Sequence, residues 1–179
     1  MKNTKISNLI FSALFTAIIA VVSQICILTP FGIPLTLQTF AISFCGYLLG
    51  TKWAVASVLT YIGVGALGLP VFSGFHGGLH HFLCPSGGYV IGFVFLTLFC
   101  GIFKNKKNKL FPIFSGILGL LICHLIGIIH FAIITEVGFI PAFITSSPPF
   151  LIKDIILVVL SFYAAGSLSK YLLNKSKNA

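Results

Sequence analysis

The sequence predicts an all-α integral membrane protein with six transmembrane helices in one domain. Of its 179 residues, 58% are hydrophobic and only 7% are charged, and the mean hydropathy is +1.11. Soluble domains of this size do not have such a composition, so the bilayer is the expected solvent for most of the chain. The apolar residues form long runs separated by short polar connections, which is typical of spanning helices.

Six apolar runs are long enough to be spans, because a helix needs roughly 20 residues to cross about 30 Å of hydrocarbon. The first run resembles the core of a signal peptide, but no clear small-residue cleavage site follows it, so we expect a retained span. The predicted helices are about 9–28, 35–49, 53–69, 87–103, 110–134 and 150–173, within a single transmembrane domain covering residues 1–179.

The positive charge predicts the topology of these spans. The sequence has eleven basic residues, all lysines, and two acidic residues, which gives a formal net charge of +9. Lysines occur before the first span, in the second and fourth connections and after the sixth span, but not in the first, third and fifth connections. Because cytoplasmic connections carry the excess of lysine and arginine, both termini are expected to be cytoplasmic.

Segment 68–92 is the one long stretch that does not have the pattern of an ordinary helix. It is rich in glycine and contains two prolines and three of the five histidines. Non-helical backbone near a membrane is tolerated where protein buries it or where it lines a cavity. The segment is therefore a candidate ligand site, plug or gate on the outer side, and a plain external loop is the alternative.

Lys153 is the lysine that departs from the topological pattern, since it lies about one turn into the sixth span near its outer end. A cation in an apolar span is costly, so Lys153 is expected either to snorkel to the outer headgroups or to face an anionic ligand. Asp154 follows it, but neighbouring residues on a helix point about 100° apart and are not expected to pair. Asp154 is equally well explained as an anion in the first helical turn.

The histidines of the central segment also match a metal pattern. His76, His80 and His81 have the H-x3-H-H spacing of membrane di-iron enzymes, and imidazole binds iron or zinc. Such enzymes need further histidine boxes, whereas His124 and His130 are six residues apart and lie far from one helical face. A His-ligated metalloenzyme is therefore a weak alternative, and the chain is not expected to be an enzyme or to hold a metal.

Three motifs in order carry a resemblance to a known family. They are Ile-Pro-Leu-Thr-Leu-Gln-Thr at 33–39, Gly-Leu-Pro-Val-Phe-Ser-Gly at 68–74 and Pro-Ser-Gly-Gly-Tyr-Val-Ile-Gly at 85–92. With Ala13 and Ala17 four residues apart in the first span, the chain resembles the BioY family. These proteins are the biotin-binding S components of energy-coupling factor (ECF) vitamin transporters.

The resemblance implies an ECF S-component-like fold of six helices with cytoplasmic N and C termini, in a multi-pass protein of the cell membrane. It implies a biotin transporter that captures the vitamin in an outward-facing cavity and releases it to the cytoplasm. Ala13 and Ala17 would dock on the shared transmembrane coupling protein. Two partner ATPase subunits would use the ATP, so no cofactor is expected on this chain, which would contact the lipid bilayer and no nucleic acid.

The resemblance also suggests how biotin would be bound. Polar groups would meet the urea, aromatic rings would cover the bicycle, and Lys153 would face a charged group. The predicted substrate-binding residues are Thr36, Gln38, Phe72, Phe75, Ser86, Tyr89, Lys153 and Asp154. Phe150 stands where the family has an aspartate. Asp154 would take the role of that aspartate only if the helix were rotated. An S component for another vitamin or heterocycle is therefore the alternative function.

Overall fold

The computed structural model describes residues 4–27, 29–30, 32–104, 106 and 108–177. Within these ranges the chain forms seven α-helices, one 3-10 helix and two short antiparallel strands. In chain order they are α1 (Thr4–Ser23), β1 (Cys26–Ile27), β2 (Leu35–Thr36), α2 (Gln38–Leu49), α3 (Thr51–Ala66), the 3-10 helix (Leu79–Leu83), α4 (Gly87–Ile102), α5 (Leu110–Thr135), α6 (Phe139–Ser146) and α7 (Pro148–Lys177).

Three of the described helices are long and apolar enough to cross a membrane: Lys5–Ser23, Leu110–Thr135 and Pro148–Leu172. Two further apolar helices, α2 and α4, are shorter. Large apolar side chains on the outer faces of α1, α5 and α7 are exposed, as expected of helices that face lipid. The fold is therefore mainly helical, and the outer faces of these three helices are apolar.

Buried hydroxyl groups connect the helices inside the bundle. On α1, the Ser12 hydroxyl lies 3.0 Å from that of Ser57 on α3, and the Thr16 hydroxyl donates to the Ser57 carbonyl at 3.0 Å. Ser161 on α7 donates to the Ser43 hydroxyl on α2 at 2.8 Å. Small residues and hydroxyls are the usual contacts between membrane helices, because they allow close approach and satisfy each other's polar groups.

The helix ends differ from the sequence prediction at several places. The first helix ends at Ser23 rather than near residue 28, and the following residues pair as Cys26 with Thr36 and Ile27 with Leu35. The expected 135–149 loop contains α6, and the last helix begins at Pro148. Proline lacks an N–H, but the first turn of a helix needs none, so the prolines of this region start helices instead of interrupting them.

The segment between α3 and α4 is anchored to the end of α1. The Ser23 hydroxyl donates to the Val71 carbonyl at 2.6 Å, and the Gln24 amide donates to the Val71 and Phe72 carbonyls, both at 3.2 Å. The Gln24 side-chain oxygen accepts from the Phe75 N–H at 2.9 Å. This segment is therefore a fixed cover over one end of the bundle rather than a free loop.

Candidate ligand-binding cavity

A small cavity of about 50 Å³ lies under this cover, between β2 and helices α2, α4 and α7. Ligand sites for small molecules combine apolar walls with a few convergent polar groups. The lining follows that description: Ile33, Pro34, Thr36, Gln38, Thr39, Ser73, His81, Ser86, Tyr89, Val90, Phe93, Phe150, Lys153 and Asp154.

Six of the eight predicted substrate-binding residues line this cavity. They come from three separate parts of the chain, and all but Lys153 are buried. These residues are Thr36, Gln38, Ser86, Tyr89, Lys153 and Asp154. The structure therefore brings the predicted polar residues together, while their contact with a ligand stays a prediction.

Phe72 and Phe75 are placed differently from the prediction that they cover the ligand. Phe72 is fully buried behind the wall, where its ring stacks on His81 with 4.5 Å between centroids and meets Tyr61 edge-on. Phe75 is 71% exposed and has a left-handed φ of 58°. The Phe75 N–H donates to the Gln24 side-chain oxygen, and neither Phe72 nor Phe75 lines the cavity.

Lys153 and Asp154 form an ion pair at the cavity wall, which corrects the expectation that neighbouring helical residues do not pair. The Lys153 ammonium lies 2.9 Å from Asp154 Oδ1 and donates to the Thr36 carbonyl at 2.7 Å. The four-carbon lysine stem is long enough to fold back over the adjacent carboxylate. Lys153 therefore does not reach outward as a snorkelling lysine would.

Asp154 reaches the cavity without any rotation of α7, which also corrects the expectation from sequence. Phe150, Lys153 and Asp154 follow the spacing i, i+3 and i+4, so they share one face of the continuous helix that begins at Pro148. Phe150 is buried in the wall one turn before the carboxylate. The aromatic ring and the ion pair are thus two levels of the same wall.

The other polar side chains of the wall are held by hydrogen bonds. The Gln38 amide donates to the Tyr61 hydroxyl at 2.6 Å, and that hydroxyl donates to the Val71 carbonyl at 3.2 Å. The Tyr89 hydroxyl donates to the Ser146 carbonyl at 2.6 Å. Gln38 therefore ties the wall to the cover, and Tyr89 connects α4 to the end of α6.

The sequence did not indicate every lining residue. Thr39, Ser73 and His81 contribute polar groups, and Val90 and Phe93 contribute apolar surface. Thr39 and Ser73 belong to the three motifs at their ends, so the motifs could have indicated them. Val90 also belongs to the third motif, and Phe93 lies four residues after Tyr89 on α4, which helical spacing could have found.

A second space of about 260 Å³ lies beside the cavity and shares Pro34, Ser73, His81 and Ser86 with it. Its remaining lining residues are Thr29, Gly32, His76, Cys84 and Pro85. Because these belong to the segments before β2 and before α4, the space forms a vestibule between the cover and the cavity. His81 stands between the two spaces.

His81 is expected to make the cover sensitive to acid. Burial of the ring, together with the smaller effects of the neighbouring His76 and His80, lowers the pKa of His81 to about 4. The unfolded chain takes up this proton near pH 6.5, so the unfolded state binds more protons between about pH 6.5 and 4 and stability falls across that window as pH decreases.

This dependence is measured by thermal unfolding of the purified protein at several pH values. His81→Phe, which keeps a ring against Phe72, should flatten the curve between about pH 6.5 and 4. His80→Phe is the matched control, because His80 is exposed. Equal pH dependence of wild type and His81→Phe would contradict the prediction.

The metal alternative receives no support from the described residues. Among them, no group of three or more histidine, cysteine, aspartate or glutamate side chains could hold a metal ion. His76 bonds the Ser73 carbonyl at 2.8 Å, and His130 bonds the Cys84 carbonyl at 3.2 Å. The histidines are used separately rather than as one ligand set.

The two predicted docking residues lie on the outer face of α1. Ala13 and Ala17 are both exposed, because α1 turns Ser12 and Thr16 towards α3. Their small side chains leave a shallow strip on the surface. Docking of a partner on this strip stays a prediction.

The fold defines a helical membrane protein with a partly polar cavity beneath a fixed cover. A family model described as BioY matches residues 1–174. Because this match covers nearly the whole sequence, the chain belongs to the BioY family. The resemblance drawn from the three motifs is confirmed, and the family is one of transporter components rather than enzymes.

Several known proteins are similar to this chain. A probable biotin transporter BioY of Pyrococcus horikoshii is 42% identical over 80% of this chain and 85% of its own length. The biotin transporter BioY of Thermotoga maritima is 39% identical over 68% of this chain and 72% of its own. The crystal structure of an S-component for biotin from an ECF-type ABC transporter superposes with a TM-score of 0.87 at 27% identity, covering 95% of this chain and 94% of that chain.

Proposed function

We propose that this chain is the substrate-binding S component of a biotin transporter, which captures biotin on the outer side and releases it to the cytoplasm. The carrying observation is the covered cavity with the Lys153–Asp154 pair in its wall. The similarity to the solved S-component for biotin, over 95% of this chain, supports the same ligand.

The chemistry of the cavity fits biotin. The ligand has a bicyclic ring with a urea group, an apolar tail and a carboxylate. Lys153 offers an ammonium group to the carboxylate, and Asp154 and Gln38 offer groups that accept or donate hydrogen bonds to a urea. The apolar side of the ring system would lie on the remaining wall, formed by Val90, Phe93 and Phe150.

Calorimetry with biotin and the detergent-purified protein tests this function. We expect binding at one biotin per chain, and weaker binding of biotin methyl ester, which lacks the charge that Lys153 would meet. A folded protein that binds no biotin would contradict the proposal. The second candidate, an S component for another vitamin or heterocycle, is favoured by Phe150 in the wall, and binding of a different vitamin would establish it.

We also propose that residues 1–179 form one transmembrane domain with six spans and cytoplasmic termini in the cell membrane. The alternating lysines and the run of apolar helices support this arrangement. Intact cells are labelled with a membrane-impermeant maleimide, using the wild type and a second protein whose single cysteine is Asn108→Cys. Cys84 of the wild type is expected to be modified, and the cysteine at position 108 is not. Labelling of position 108 from outside would contradict the proposed topology.

The exposed strip at Ala13 and Ala17 is proposed as the docking surface for the ECF transmembrane coupling protein, which two ATPase subunits would drive. Double replacement by tryptophan should leave biotin affinity within about twofold, since the strip is far from the binding residues in sequence and packing, and should abolish uptake by cells. Leu14→Trp, at another exposed position of α1, is the control. Loss of affinity in the double variant would mean that the strip packs internally.

A further inference from the structure

His124 lies at the centre of a buried polar chain behind the cavity. It belongs to the middle of α5 and is only 4% exposed. Its Nδ1 lies 2.9 Å from the hydroxyl of Ser147, between α6 and α7, and its Nε2 lies 3.4 Å from Asp154 Oδ2. The imidazole ring and the Tyr89 ring meet edge-on, with 5.6 Å between their centroids. One imidazole thus contacts residues of three other parts of the chain.

The two ring nitrogens have complementary tasks in this arrangement. A neutral imidazole carries one donor and one acceptor, and the partner of one nitrogen determines the role of the other. If the Ser147 hydroxyl donates to Nδ1, then Nε2 carries the proton and presents it to Asp154. Ser147 is 1% exposed, so water does not compete freely for this contact.

Asp154 has one oxygen that is not fully satisfied. Its Oδ2 faces His124, while Oδ1 is buried and receives no donor with hydrogen-bond geometry among the described residues, although Lys153 lies 2.9 Å away. A buried carboxylate oxygen without a directed donor is costly. This oxygen belongs to a residue of the cavity wall, where a ligand N–H could supply the missing bond.

We propose that His124 is a positioning residue for ligand binding, which holds Asp154 Oδ2 so that Oδ1 faces the cavity and accepts an N–H of a cyclic urea. This inference rests on the proposed function and adds a residue outside the cavity lining. Contacts behind a ligating group fix its orientation, and their loss commonly costs about 10–100-fold in affinity. Ser147 belongs to the same series of contacts, because its hydroxyl orients the imidazole.

The experiment compares biotin affinities of variants by calorimetry. His124→Leu should weaken binding about tenfold or more, whereas His124→Gln, whose amide N–H replaces that of Nε2, should stay within about threefold of wild type. In an Asp154→Asn background, His124→Leu should cause no further loss, because its effect passes through the carboxylate. Equal losses for the leucine and glutamine variants, or full additivity with Asp154→Asn, would overturn the inference.

Ser147→Ala provides a second test that keeps the imidazole and covers the case in which His124→Leu does not fold. It should weaken binding about threefold or more, because the ring loses the partner of Nδ1. Ser146→Ala is the matched control, since Ser146 is equally buried and its hydroxyl has no hydrogen-bond partner among the described residues. Equal affinities of the two alanine variants would contradict the inference.

The outcomes separate this inference from the function on which it rests. A folded wild-type protein without biotin affinity would overturn the proposed function and the role of His124 together. Tight wild-type binding with unchanged affinity in His124→Leu would overturn the positioning role alone.

Discussion

Replacing Lys153 with methionine is expected to weaken biotin binding about 100-fold, or about 2.7 kcal/mol. The ammonium group is the charged partner for the ligand carboxylate, and hydrogen bonds to charged groups contribute about 1.5–3 kcal/mol. The substitution also leaves the buried Asp154 carboxylate without its cation, 2.9 Å away in the wild type. Calorimetry of the purified variant gives the affinity, and methionine keeps most of the apolar stem.

Lys104→Met is the matched control for this prediction. Lys104 also donates to a backbone carbonyl of another helix, that of Leu48, at 2.5 Å, but it lies after α4 and does not line the cavity. Partial burial of the ammonium lowers the pKa of Lys104, although the residue as a whole is exposed. The control should bind biotin as the wild type does.

Biotin methyl ester distinguishes the role of Lys153 in binding from its role in the wall. If Lys153 meets the carboxylate, the ester should bind the wild type less tightly than biotin does, while Lys153→Met should bind both ligands equally. If the variant binds biotin like the wild type, Lys153 serves only the Thr36 carbonyl and Asp154. Equal discrimination by both proteins would place the carboxylate elsewhere in the cavity.

The polar cavity was predictable in part, because its main residues lie in local motifs. Short stretches whose composition is unusual for a spanning helix contain Thr36, Gln38, Ser86 and Tyr89. A lysine next to an aspartate in an apolar run is itself a signal of a functional site. The spacing of Phe150 and Asp154 already places them on one helical face. The expected need for a rotated helix was therefore a misreading of information that the sequence contained.

The contacts behind the wall were not predictable from local sequence. His124 meets Ser147, 23 residues later in the chain, through a hydrogen bond that depends on how α5 packs against the junction of α6 and α7. Gln24 binds the backbone N–H of Phe75 from 51 residues away, and the phenylalanine ring lies at the surface. No periodicity or motif records such long-range pairs, so nothing in the local pattern excluded Phe75 from the cavity.

Gly92→Val is expected to destabilise the protein by about 3 kcal/mol, which is at the upper end of the usual cost of overpacking. A Cβ at Gly92 on α4 would lie 2.7 Å from the Cys123 sulfur and 2.8 Å from the Cys123 Cα on α5. The second contact is with backbone, which cannot move aside as a side chain does. Helices α4 and α5 must therefore separate near Gly92 and Cys123, which is costly because protein interiors are closely packed.

Gly63→Val on α3 is the control for this substitution, because a Cβ there would meet nothing within 4 Å. Both variants carry the same propensity cost of valine in a helix, so unfolding in denaturing detergent isolates the packing effect. Equal stability of the two variants would contradict the close approach of α4 and α5. Separation of these helices would also move Tyr89 on α4 away from His124 on α5, so residual folded Gly92→Val should bind biotin more weakly than Gly63→Val.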